Sequence, residues 1–296
     1  MSIKLDLYKV FSEVAKYKSF SKAAKALYMT QPAVSQAIMQ LENELEIRLF
    51  TRTPRGVILT NEGELLFEYT NSAINLINVA EKKLTESKNL LMGDLKLGVG
   101  DTISRYFLLP YLEKFHSNYP NIKLKIINRT TLELCTMLKS GEIDIAICNL
   151  PIDDYSLEVT ELIDIHDIFV CGKKYKNKIT SSISLKELAN FPLILLESKS
   201  NSRQYVEKYM LSKGIAITPE IELGSHDLLL EFAKINLGIS CVIKEFSYDY
   251  LKSKELYEVQ TTEVIPKRSI GFCFLKSVSL SPSSTKFVDI LKKWLF

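Results

Sequence analysis

The sequence predicts an α/β protein in three parts: a small helix-turn-helix head with a β-hairpin wing, a long linking helix, and a body in which strands and helices alternate. Three observations carry this. Between Ser19 and Glu46 two short helical patterns meet across a tight connection, and a basic turn between extended residues follows at once. From Thr60 to about Met92 a helical pattern runs without a proline. Beyond Gly93, apolar runs of strand length alternate with amphipathic stretches, the pattern of a parallel, doubly wound sheet.

In chain order, Leu5, Tyr8, Phe11, Val14 and Ala15 trace an amphipathic first helix that braces the head. Ser21 is expected to cap the second helix, whose Ala23, Ala24 and Leu27 form a small face that admits a close neighbour. Thr30 is expected to cap the third, with Pro32 in its first turn, where a missing N–H costs little. Val34, Ile38, Leu41 and Leu45 share its buried side. At about 100° per residue, Pro32, Gln36, Met39 and Gln40 point the other way, with Ser35 on the flank and Gln31 at the exposed start. Flat donor–acceptor side chains at the front of a helix are what reading base edges in a major groove requires. A solvated face has the same composition, and what favours reading is the next segment. LFTRTPRGVILT sets Arg52 and Arg55 around a Pro54/Gly56 turn, a wing able to reach phosphates or the minor groove. Lys16, Lys18, Lys22 and Lys25 are further candidates for phosphate contact or for a solvated face.

The words FSKAAKALYMTQPAVSQAIMQLENELEIRLFTRT and GVILTNEG resemble the N-terminal signature of the LysR-type transcriptional regulators. The resemblance implies double-stranded promoter DNA as partner, with Gln31, Pro32, Ser35 and Gln36 at base edges and Thr30, Arg52 and Arg55 on the backbone and wing. Glu46 departs from the family's usual glycine, so it must either avoid left-handed geometry or accept its strain.

Charge distribution agrees with such a head. Residues 1–60 hold nine Lys/Arg against five Asp/Glu, whereas the remaining 29 and 30 nearly cancel. A basic head on a near-neutral body suits local phosphate contact. The five cysteines (Cys135, Cys148, Cys171, Cys241, Cys273) lack metal or redox spacing and are expected as buried thiols in a reducing cytoplasm. No signal peptide and no apolar run of about 18 residues is seen, so neither secretion nor a membrane partner is expected.

The linking helix carries Glu62 and Glu64 at its N-terminal dipole, and Gly93 is expected to stop it. Leu66, Tyr69, Ala73, Leu76, Ala80, Leu84 and Leu91 repeat at three-four spacing, widened by Leu65, Ile77 and Val79. About thirty residues at ~1.5 Å each exceed what one small domain can cover, so a dimerising helix is the economical reading. The resemblance implies the same, suggests a tetramer, and leaves RNA polymerase as a further candidate partner.

In the body, LKLGVG, IKLKIIN and IDIAICN read as strands, with helices at Ser104–Ser117 (Leu108, Leu109, Leu112, Phe115) and around Leu132, Cys135 and Leu138. DIFVCG, PLILLE, IELG, GISCVI and SIGFCFL are further strands. Helices are expected near Leu185, at Ser202–Leu211, at Asp227–Ile235 and from Ser281/Pro282 onward. The resemblance implies a two-lobed, periplasmic-binding-protein-like effector domain, crossed near Asp164–Ile168 and again near Lys267–Gly271. The expected division is therefore a head at 1–60, a linker at 61–92 and an effector domain at 93–296. Its first lobe is about 93–163 with 268–296, and its second about 164–267.

In open α/β sheets, ligands bind beyond the C-terminal strand ends, where helix N-termini offer N–H groups. Four loops qualify: Gly100–Ile103 (with Asp101 and Thr102), Arg129–Thr131 (with Thr130), Ser198–Arg203 (with Ser200 and Ser202) and Gly224–His226. Their hydroxyls, amides and cations favour a small anion, although Asp101 opposes that sign; capping is the competing role of Thr102, Thr131 and Ser202.

Two other functions fit the sequence less well. Gly98-Val99-Gly100 after a strand hints at a dinucleotide enzyme, but Ile103 stands where a third small residue belongs, and no ribose-binding acid follows the strand ending at Asn128. No nucleophile–base pair accompanies His116, His166 or His226, so neither an enzyme nor a cofactor is expected. An architectural DNA-binding protein would leave some two hundred residues of α/β chain without a task.

Overall fold

The structure is a computed structural model that describes residues 3–53, 56–86 and 93–293. Pro54, Arg55, Leu91 and Met92 lie outside the described residues, as does the side chain of Arg52. Two compact units are formed, one by the N-terminal elements together with residues 139–142 and one by the remaining elements from residue 93 on.

The first unit contains α1 (Leu5–Tyr17), α2 (Phe20–Ala26), α3 (Gln31–Leu45), the strands β1 (Phe50–Thr53) and β2 (Gly56–Leu59), and α4 (Asn61–Glu86). Phe11, Val14, Ala23, Val34, Ile38, Leu41, Leu49 and Val57 form its core, with Leu66 and Phe67 of α4 packed against them. Leu5, expected in the apolar stripe of α1, is exposed instead. The cap of α2 is Ser19, two residues earlier than Ser21: its Oγ accepts from the Lys22 N–H at 3.4 Å. Phe20 thereby becomes the first helical residue, and its ring packs near Phe50, at 6.1 Å between centroids. Glu46 accepts the strain: its φ is 56°, and its N–H bonds back to the last turn of α3. β1 and β2 pair antiparallel from Phe50 opposite Leu59 to Thr53 opposite Gly56, which is the hairpin of a wing. Thr60 Oγ1 accepts from the Gly63 N–H at 3.0 Å and so starts α4.

The second unit's first described element is β3 (Gly93–Val99); the expected end of the linking helix before Gly93 lies outside the described residues. α5 (Asp101–Ile103) runs through a π-helical turn (Ser104–Leu108) into α6 (Leu109–Asn118). The helix thus starts earlier than Ser104, and the wider turn rotates Leu109 outward, where it is exposed. β4 (Ile122–Asn128), α7 (Thr131–Lys139) and β5 (Ile145–Asn149) follow; on α7 it is Leu134, Cys135 and Leu138 that are buried, while Leu132 is exposed. β6 (Leu157–Ile165), β7 (Asp167–Cys171), α8 (Lys173–Lys178), α9 (Leu185–Leu188), β8 (Leu193–Leu196), α10 (Asn201–Ser212) and β9 (Ile221–Leu223) come next. The chain closes with α11 (His226–Lys234), β10 (Ile239–Ile243), a 3-10 turn (Lys244–Ser247), α12 (Tyr248–Lys252), β11 (Tyr257–Glu258), β12 (Arg268–Leu275) and α13 (Pro282–Lys293).

These strands make two sheets of five, in the orders β4-β3-β5-β12-β6 and β11-β7-β10-β8-β9. The sheets are mixed, which corrects the expectation of parallel ones. β3 runs parallel to β4 and β5, and β8 to β9 and β10, as strand–helix–strand connections demand. The antiparallel member in each sheet is fed from the other. β7 enters one directly after β6 leaves the other, with only His166 between them, and β12 returns from the second sheet to the first. A strand that arrives without its own crossover helix is free to run antiparallel.

Four of the five cysteines are buried, and none of the five is in a disulfide. Burial pushes the Cys171 thiol up to about 11, which keeps it protonated at neutral pH. No helix among the described residues is long and apolar enough to cross a membrane.

Gly98 and Gly100, the two glycines that hinted at a nucleotide loop, have separate explanations. A Cβ on Gly98 would lie 2.4 Å from Ile143 Cδ1 and 2.5 Å from Leu134 Cδ2, so the residue is small because α7 packs on β3 there. At Gly100 the nearest atom is the Arg129 carbonyl oxygen, at 4.0 Å. Gly98→Ala should therefore lower stability to urea by about 1–3 kcal/mol through overpacking, whereas Gly100→Ala should change it by less than about 0.5 kcal/mol.

Candidate functional sites in the head and the body

The head presents one continuous polar face. Thr30 Oγ1 accepts from the Ala33 N–H at 3.4 Å, which fixes the start of α3 with Pro32 in its first turn. Thr30, Gln31, Pro32, Gln36, Met39 and Gln40 are exposed and Ser35 is half-buried, while Val34, Ile38 and Leu41 are buried beneath them. The outward face foreseen from helical spacing is thus the solvent face of α3. Behind it, Glu42 is a buried carboxylate with only 7% exposure. Its Oε1 accepts from the N–H groups of Leu49 (2.7 Å) and Phe50 (3.2 Å), and its Oε2 accepts from Arg48 Nη1 at 2.8 Å. This carboxylate ties the end of α3 to the first strand of the wing, while Val57 N–H donates to the Lys18 carbonyl and ties the second strand to α1. Sequence reasoning missed Glu42, because an acid on a helix reads as solvated until its long-range acceptor role is visible. It also missed Tyr28, which is 98% exposed at φ 55° in the turn before α3.

The body holds a cavity of about 380 Å³ lined by residues of both sheets. Asp101, Thr102 and Ile103 line it from the start of α5, Thr130 and Thr131 from the start of α7, Ser200 and Ser202 from α10, and His226 from α11. Ser198 does not line it; that side chain is exposed, and its carbonyl accepts from Gln204 Nε2 at 3.1 Å. The cap of α7 is Thr130, not Thr131: its hydroxyl donates to Glu133 Oε2 at 2.6 Å and its N–H to the same oxygen at 2.9 Å. These two bonds hold the Glu133 carboxyl below the usual carboxylate range. The hydroxyls of Thr102, Thr131 and Ser200 make no hydrogen bond among the described residues and remain available to a guest. Ser202 Oγ, by contrast, accepts from Arg268 Nη2 at 2.9 Å.

Arg268 is the centre of a network that the sequence did not disclose. Its Nε and Nη2 donate to the two oxygens of Asp167 at 2.5 and 2.8 Å, its Nη1 donates to Asn149 Oδ1 at 2.5 Å, and the Tyr205 ring lies 5.7 Å from the guanidinium carbon. Both ion-pair side chains are almost fully buried, and Asn149, Asp167 and Ser202 line the cavity. Beside it, His226 Nε2 accepts from the Ile243 N–H at 3.2 Å, so the neutral ring carries its proton on Nδ1. Burial drives its pKa down to about 4. Asp227, next in the chain, is held by Arg105 Nη1 at 2.9 Å and by the Tyr106 hydroxyl, and Tyr106 stacks on Phe246 at 5.3 Å. The two lobes are therefore joined by a second set of contacts, from the π-helical turn to α11 and the 3-10 turn.

Such a fold defines a class: a winged helix-turn-helix head joined to a body of two α/β lobes with a cavity beyond their strand ends. The comparisons narrow it. A family model described as the LysR substrate binding domain matches residues 88–295, and one for bacterial regulatory helix-turn-helix proteins of the lysR family matches residues 5–64. The chain belongs to the LysR-type family of transcriptional regulators, DNA-binding proteins rather than enzymes.

Among curated relatives it is 25% identical over 291 residues to the RuBisCO operon transcriptional regulator of Allochromatium vinosum, covering 98% of this chain and 96% of that one. It is likewise 25% identical over 288 residues to the transcriptional activator CmpR of Synechocystis, covering 97% and 94%. Among solved structures, full-length OxyR from Pseudomonas aeruginosa is similar at TM-score 0.68 and 21% identity over 100% of this chain and 95% of that one. CbnR in complex with its target DNA is similar at TM-score 0.65 and 18% identity, covering 98% and 99%.

The histidine yields a test. Its folded pKa lies below the unfolded value near 6.5, so its contribution to stability is complete above about pH 6.5 and is lost as the pH falls toward 4. Urea unfolding at pH 7 and pH 4 should show a loss roughly 3 kcal/mol larger in the parent protein than in His226→Asn, which carries no titrating ring.

Proposed function

We propose that the chain is a cytoplasmic, sequence-specific transcriptional regulator whose grip on promoter DNA is controlled by a small organic anion held in the cavity of its body. The observation that carries the DNA reading is the uncharged outward face of α3, where Thr30, Gln31, Gln36 and Gln40 are exposed, backed by a buried apolar side. Gln31, Pro32, Ser35 and Gln36 address base edges; Thr30, Arg52 and Arg55 hold the backbone. The structure of CbnR with its target DNA supports this reading for a protein of the same fold. On the body, unengaged hydroxyls at helix N-termini suit an acid group.

The domain division is 1–60, 61–92 and 93–296, with lobes of about 93–163 plus 268–296 and about 164–267. α4 spans 26 residues, about 39 Å at 1.5 Å per residue, and leaves Leu65, Tyr69 and Leu84 exposed along its length. An apolar stripe of that kind supports dimerisation through α4, with assembly to a tetramer and contact with RNA polymerase as further steps. Effector binding favours one arrangement of the lobes, and the linker passes this to the spacing of two heads. Such control requires tighter ligand binding to one arrangement than to the other.

Binding to an operator found by footprinting the DNA upstream of the protein's own gene, against scrambled duplex across a salt series, tests the assignments. Gln36→Ala should cost about 1–3 kcal/mol on the operator and little on scrambled DNA. Arg55→Ala should weaken both and lower the salt slope by about one. Equal losses on both duplexes for Gln36→Ala would remove it from the reading face.

A further inference from the structure

The charges of the cavity ask more of the guest than an acid group. Arg203 donates to Glu207 Oε1 at 2.5 Å and to the Leu196 carbonyl at 3.2 Å, and Arg268 is held by Asp167. Arg129 Nη1 donates to the Asn128 carbonyl at 2.8 Å, and the charges of Arg129 and Lys199 help to lower the Glu133 carboxyl. Two carboxylates of the lining are left without a cationic partner among the described residues. Glu197, exposed after β8, makes no side-chain hydrogen bond, and Asp101 accepts only from Asn128 Nδ2 at 3.3 Å. Each lobe thus offers the guest one carboxylate that a positive group could pair with.

The interior of the second lobe has the opposite need. Arg203 and His226 line the cavity at 5% and 4% exposure, and each carries a buried nitrogen, Nε and Nδ1, with no hydrogen-bond partner. Both are donors: the guanidinium is always protonated, and the ring proton sits on Nδ1 because Nε2 accepts from Ile243. They stand at the N-terminal turns of α10 and α11, where partial positive charge adds to the demand for an acceptor. Buried donors left unmet are costly, so this end of the cavity favours a guest that brings oxygen. A simple cation would leave these donors unmet, and a simple anion would leave the two carboxylates unmatched.

Resting on the effector reading above, we propose that the guest is a zwitterion of the amino acid class, with its acid group toward Arg203 and His226 and its protonated amine toward Glu197 and Asp101. Near-isosteric pairs of acids that differ only in amine against hydroxyl isolate the amine contribution. Calorimetry on the full-length chain would use L-aspartate with L-malate, L-glutamate with L-2-hydroxyglutarate, L-serine with L-glycerate, and L-alanine with L-lactate. At least one amino acid should bind, about tenfold or more tighter than its hydroxy partner. In the doubly substituted Glu197→Gln, Asp101→Asn protein that ratio should fall to about threefold or less, with the hydroxy acid bound no more weakly than before. Hydroxy acids binding as well as their amino partners would overturn the zwitterion and leave the anion reading standing. A ratio unchanged by the two substitutions would also overturn it. Failure of every pair to bind a protein that still recognises its operator would overturn both.

Discussion

One guanidinium holds the ligand end of the body together. Arg268 begins the strand that returns to the first sheet, and Asp167 begins the strand that enters the second; their bidentate pair sits where the chain changes sheets. The same side chain reaches Asn149 at the end of β5 and Ser202 in the first turn of α10. Strand ends and helix starts from both lobes are thus fixed to one planar group with five N–H donors, which lysine could not replace. Burial of this pair is tolerable because nearly every donor finds an oxygen; with one partner removed, the other becomes an uncompensated buried charge.

Different parts of the molecule were legible to different degrees, and range of interaction explains why. The three helices of the head, the cap at Thr30, the buried side of α3 and the hairpin all follow from spacing within a few residues. Where sequence reading slipped, a contact from elsewhere had decided. Phe20 packs near Phe50, so Ser19 rather than Ser21 caps α2. A π-helical turn rotated Leu109 out of the core. The antiparallel strands β7 and β12 could not be inferred from alternation, because their direction is set by which sheet the chain has just left.

The cavity was legible as loops but not as chemistry. Its four loops are each short strings of small polar residues between a strand and a helix, and helix starts at strand ends are local facts. Ser198 failed to reach the lining because the loop's turn carries it outward before α10 begins. Asn149, Asp167 and Arg268 lie on strands, where polar residues look like edges or exposed faces until the two sheets are brought together. The same holds for Glu42 in the head: its partners lie seven and eight residues along, past the end of the helix. In both units a buried charged side chain, Glu42 in the head and Arg268 in the body, ties together elements that lie apart in the sequence.

A double-mutant cycle on Arg268 and Asp167, read by urea unfolding, tests most directly whether this pair joins the lobes into one site. Arg268→Met and Asp167→Leu should each lose about 3–5 kcal/mol, and the double variant should lose much less than the two together, a coupling of at least about 2 kcal/mol. Additive losses, with coupling near zero, would contradict the account.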